Sequence, residues 1–103
     1  MKSAMTVTDF EAALTAEDFK TFATVEKPPG FDMADHSHPF EACALVTQGS
    51  ITLVVDNIST TYAAGEIFRL SAGTPHLESA GAQGVAYRVG RKPVANLMQT
   101  AAS

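Results

Sequence analysis

The segment His36-Ser37-His38 sets two imidazoles on alternate residues, and an acid, Glu41, follows close behind. In an extended chain alternate side chains share a face, so His36 and His38 project together. Paired neutral imidazoles suit a single divalent metal, with metal–nitrogen bonds near ~2 Å. The last of the chain's three histidines, His76, opens the stretch "HLES" directly after Gly73-Thr74-Pro75. If the two stretches meet in space, three imidazoles converge on one cation. Imidazole donors suit several transition metals, and the pattern does not select among Fe, Zn, Ni, Mn and Cu.

Strand parity sorts the neighbouring residues. Ala42 shares the parity of His36 and His38, whereas Glu41 belongs to the opposite face. A bulge near Pro39-Phe40 would turn Glu41 inward and make it a fourth ligand. Glu78 shares the parity of His76, so it is expected in the same cavity. There it would accept a hydrogen bond from a ligand imidazole or act as a general base beside the metal. Ala42 and Ala44 would leave space by the metal, Phe40 and Val46 would wall it, and Tyr87 on "VAYRV" would reach the lumen. Cys43 has the wrong parity for the cavity and reads as a packing residue.

These side chains need elements to position them. "TVTDFEAALTAEDF" reads as one short helix over about residues 8–17, with Thr8 or Asp9 as cap and Phe10, Ala13 and Leu14 at helical spacing. Beyond it, short β-type runs alternate with turn residues: "FEACALVTQG", "SITLVV", "ISTTYAAG", "EIFRLSAG", "HLES" and "VAYRVG". Asp56-Asn57 suits a two-residue hairpin loop, because both residue types tolerate positive φ. The pattern predicts an all-β barrel or sandwich over about 18–91, in a single domain of 103 residues. Residues 92–103 are expected to form a tail, either a weak helix or an arm on a neighbour.

Composition narrows the partners. A net charge of −4 with scattered basic residues argues against nucleic acid. The apolar runs are too short to span a bilayer, and Cys43 is the only cysteine. A cytoplasmic protein is the expectation.

The histidine spacing resembles both sequence motifs of the cupin family. Gly30 is followed after five residues by His36-x-His38, and Gly49 closes the first motif at the family distance. Gly65, Gly73 and His76 stand at the positions of the second, with fifteen residues between Gly49 and Gly65. The resemblance covers about residues 30–80. It implies the cupin double-stranded β-helix, a jelly-roll barrel with a metal inside its mouth, held by His36, His38 and His76. Three positions depart from the pattern: Ala42 replaces the ligand glutamate, Ser71 the proline and Ala80 the asparagine. The implied set is then three imidazoles without a carboxylate, similar to the sites of cysteine dioxygenase and the diketone-cleaving dioxygenases. Such a centre keeps the full charge of the dication and would favour a small anionic molecule. Three readings follow: a metal-dependent oxygenase or isomerase, a non-catalytic sensor-like binding barrel, and a structural cupin whose site stays empty. The resemblance also implies a homodimer.

Overall fold

The computed structural model describes residues 5–93, so expectations for the tail beyond Pro93 lie outside the described residues. The chain opens with helix α1 (Val7–Ala16) and continues through six strands: β1 (Thr21–Lys27), β2 (Asp32–His36), β3 (Phe40–Val55), β4 (Ile58–Ala63), β5 (Ile67–Leu70) and β6 (His76–Pro93). The helix begins one residue before expectation because Thr6, not Thr8 or Asp9, is its cap. The Thr6 hydroxyl accepts from the Asp9 N–H at 3.0 Å. It ends where Asp18 adopts φ 74°, a left-handed residue just past the last turn.

All strand pairs are antiparallel, and two long strands carry most of the pairing. The first half of β3 pairs with the second half of β6 and with β5, and β1 closes the other side of β6. The second half of β3 pairs with the first half of β6 and with β4, and β2 closes the other side. Two layers result, β1-β6-β3-β5 and β2-β6-β3-β4, with β3 and β6 passing through both. This is the jelly-roll double-stranded β-helix. The runs "FEACALVTQG" and "SITLVV" are one strand, not two, because the chain kinks at Gly49 instead of ending there. Gly49 has φ 69°, and a Cβ at this position would lie 2.0 Å from the Gly84 carbonyl oxygen, so only glycine lets β3 and β6 cross there. The expected hairpin loop is present: Asp56 and Asn57 have φ 51° and 66°, and they join β3 to β4.

Even-numbered Ala42, Ala44 and Val46 of β3 point between the layers and pack with Ile51, Leu53 and Phe68. The odd-numbered Cys43 and Leu45 point outward from the first layer, where Phe10, Leu14 and Phe19 cover them. Phe10 and Leu14, four residues apart, therefore form the face by which α1 sits on the sheet. Arg69 ties this face down from the side, bonding both Glu17 and Glu41. Arg88 does the same through Glu11 and Thr24. Among the described residues no helix is long and apolar enough to cross a membrane.

Candidate metal centre

His36 and His76 sit opposite one another as a cross-strand pair between β2 and β6. Met33 pairs with Glu78, so β2 spends three residues where β6 spends two, and a bulge falls between Met33 and His36. That bulge turns both Met33 and His36 toward the interior despite their unequal parity. His38 follows in the link to β3, where its carbonyl accepts the Gly73 N–H at 2.7 Å. The turn that precedes His76 thus also anchors the segment carrying His38.

The three rings gather tightly. Ring centroids lie 4.3 Å apart for His36 and His76, 4.9 Å for His36 and His38, and 5.3 Å for His38 and His76. Glu78 completes the group, and one potential ligand atom from each of the four residues lies within 4.8 Å of the others. His36 Nδ1 bonds the Ala34 carbonyl at 2.8 Å, and His76 Nδ1 bonds the Thr74 carbonyl at 2.9 Å. A carbonyl only accepts, so each Nδ1 carries the hydrogen, and the neutral tautomer this selects aims a bare Nε2 inward. Both Nε2 atoms are buried without a hydrogen-bond partner. Glu78 Oε2 lies 3.2 Å from the first and 3.4 Å from the second. A carboxylate has no proton to offer, so these are contacts between lone pairs. Burial, followed by the neighbouring His36 and His76, holds His38 below the usual imidazole range, which favours its neutral form with a ring lone pair free for a cation. A buried set of acceptors with no donor among them fits a cation at its centre.

The cluster lines a cavity of about 170 Å³, walled by Phe40, Ala42, Phe68, Leu70 and Tyr87 and reached by Lys27 and Arg91. This is below the volume of drug-sized pockets (~300–1,000 Å³), so it suits a small molecule. Burial pushes the Tyr87 hydroxyl up to about 12, so it stays protonated as a donor.

The structure thus brings His36, His38, His76 and Glu78 together, with Phe40, Ala42 and Tyr87 around them. It leaves out three other candidates. Glu41 is not turned inward: the β2 bulge precedes His36 instead of falling at Pro39-Phe40, and the Glu41 carboxylate bonds Arg69 at 2.7 Å on the helix side. Ala44 and Val46 have the inward parity but lie deeper in the core and do not line the cavity. Glu78 lies in the cavity as its parity predicts, with a carboxylate oxygen among the imidazole nitrogens. Sequence reasoning missed Met33, Lys27 and Arg91. Arg91 was within reach, because it continues the alternation Tyr87, Val89, Arg91 along β6.

Comparison with known proteins agrees with this architecture. The family model for the cupin domain matches residues 23–82. No curated protein sequence matches the chain. Among solved structures, the EutQ protein of Clostridium difficile superposes with a TM-score of 0.61 at 11% identity, over 70% of this chain and 55% of its own. KdgF from Halomonas sp. gives 0.63 at 18% identity, over 75% of this chain and 71% of its own. The DMSP lyase DddQ from Ruegeria pomeroyi gives 0.64 at 18% identity, over 74% of this chain and 38% of its own. The chain therefore spans a little over half the length of EutQ and well under half that of DddQ.

Proposed function

The chain belongs to the cupin domain family, and from that premise we propose that it binds one divalent transition metal through His36, His38, His76 and Glu78 and acts on a small anionic molecule. The observation that carries this reading is the pair of buried, unpartnered Nε2 atoms facing a carboxylate oxygen. When bound, the metal would supply Lewis acidity to a coordinated oxygen of the ligand. The chain's own residues do the rest. The carbonyls of Ala34 and Thr74 fix the imidazole tautomers, and Tyr87 offers a hydroxyl proton to the ligand. Phe40, Phe68 and Leu70 restrict water. With Glu78 among the ligands, the net charge of the centre falls from two to one, so the pull on an anion is weaker than three imidazoles alone would exert.

An oxygenase or isomerase is the enzymatic form of this reading. A non-catalytic binding barrel is the second, and one observation favours it: among the described residues Glu78 is the only carboxylate lining the cavity, so its use as a ligand leaves no other side-chain acid among them to serve as base.

Metal analysis of protein purified without chelators tests the centre. One metal per chain is expected for the wild type and none for His76→Ala; equal content in both would overturn it. Oxygen consumption or conversion of any member of a panel of small acids, thiols and diketones would then separate the enzyme from the binding barrel.

A further inference from the structure

Ala42 and Arg91 are direct cross-strand partners on β3 and β6, and both line the histidine-bearing cavity. Residues so paired set their Cβ atoms about 4.5–5.5 Å apart on one face of the sheet. The cupin pattern carries its metal-ligand glutamate at position 42, and a carboxylate there would also lie within reach of the Arg91 guanidinium across the ladder. This chain has a methyl group there, and Arg91 forms no ion pair among the described residues. Its guanidinium instead lies 5.6 Å from the centre of the Phe40 ring, which stacks at 15° on His38. Lys27, the other cation in the cavity wall, is placed differently. It pairs with Val85 at the far end of the β1–β6 ladder, and its ammonium lies over Phe31 at 4.6 Å. One partly buried guanidinium is thus held beside the cluster, opposite a position emptied of its acid.

We propose that Arg91 is the specificity-determining residue of the cavity and that the ligand's own carboxylate fills the space vacated at Ala42, pairing with the guanidinium. A planar fork of N–H donors matches a carboxylate through two parallel bonds, which a point charge such as lysine does not reproduce. The ligand class is then a small carboxylic acid with a short apolar body, its anionic end at Arg91 and its other end toward the histidines. This rests on the same cavity being the ligand site, and it deepens that reading without requiring the metal to be bound.

The test uses sodium propionate as probe and propionamide as its uncharged counterpart, titrated into chelator-treated protein and, separately, zinc-loaded protein. The Arg91 Nε–H resonance is followed in every protein that keeps the arginine, and the backbone amide shifts of position 42, Tyr87 and Val89, which line the cavity, are followed in all of them. Propionate is expected to shift that resonance saturably in the chelator-treated protein, and propionamide is not. Arg91→Gln should weaken propionate binding by roughly tenfold or more, the loss that follows removal of a charge-assisted hydrogen bond. Arg91→Lys should recover only part of it. Ala42→Glu supplies an internal carboxylate and should abolish binding while leaving the thermal midpoint within a few degrees. Equal propionate affinity in wild type and Arg91→Gln, or no saturable shift at millimolar propionate, would overturn the proposal. Should Ala42→Glu fail to fold, the contrast between lysine and glutamine at 91 decides. If His76→Ala retains its metal while the Arg91-dependent shift persists, the metal assignment fails and the carboxylate site stands.

Discussion

Substituting Glu78 with glutamine should move two measurements in opposite directions. Glu78 Oε2 lies 3.2 Å from His36 Nε2 and 3.4 Å from His76 Nε2, and both rings spend their Nδ1 hydrogens on backbone carbonyls. Without a metal, three acceptors face one another. Glu78→Gln replaces one acceptor by an amide that donates, and one restored hydrogen bond contributes about 1 kcal/mol. For a domain of this size that raises the melting point by about 4–8 °C. With metal the sign reverses. Losing the carboxylate from the ligand group should weaken affinity roughly a hundredfold, about 2.7 kcal/mol. At a zinc concentration about 100 times the wild-type Kd, binding stabilises the wild type by about 2.7 kcal/mol and the variant by about 0.4 kcal/mol. The variant should therefore melt above the wild type in chelator and below it in zinc. Thermal unfolding in both buffers, with calorimetric zinc titration, measures this directly. A variant less stable in chelator but equal in zinc affinity would refute the reasoning, because Glu78 would then be pairing with a protonated histidine and not with a metal.

Gly90→Ala should loosen the helix from the sheet, since a Cβ there would lie 2.7 Å from Leu14 Cδ1 and 3.1 Å from Phe22 Cε1. Such overpacking costs about 1–3 kcal/mol, read as a lower urea midpoint, while zinc affinity stays unchanged. Thr6→Ala removes the α1 cap and should cost about 1 kcal/mol in the same assay. Arg69→Gln should flatten the acid limb of the stability profile. The Arg69 hydrogen bond holds the Glu17 carboxyl below its ordinary 4.5, so its contribution is full above that value and is lost as pH falls through the lowered one. Urea midpoints compared at neutral and acid pH should differ less in the variant than in the wild type. A parallel drop in both proteins would contradict the assignment.

The alternation of side chains made much of this site legible in the sequence. His36, His38, Phe40 and Ala42 share one parity and all line the cavity, and Glu41 and Cys43 fall on the other face as that parity requires. The Asp56-Asn57 loop was equally readable, because its chemistry is local. What escaped depended on irregular backbone. The bulge before His36 adds one residue to β2, and nothing in "DMADH" marks it, so Met33 was missed. In β6 the faces change between the Glu78 and Tyr87 halves where the pairing with β3 shifts around Gly49, so Glu78 and Arg91 reach one cavity with opposite parity. Charge was misleading in its own way. Arg91 beside Lys92 looks like a solvated pair, but the two point to opposite faces, Lys92 donating to the Glu17 carbonyl under the helix.

Because β3 and β6 run unbroken through both layers, the cavity behaves as a caliper with fixed jaws. His36, His76 and Glu78 stand on the jaw built from β2 and the start of β6, whereas Ala42, Tyr87 and Arg91 stand on the other. The shared strands join the two, so the spacing between histidines and guanidinium is set by covalent chain and ladder. A molecule is then selected by its length, and widening that gauge takes a change in the shared strands themselves.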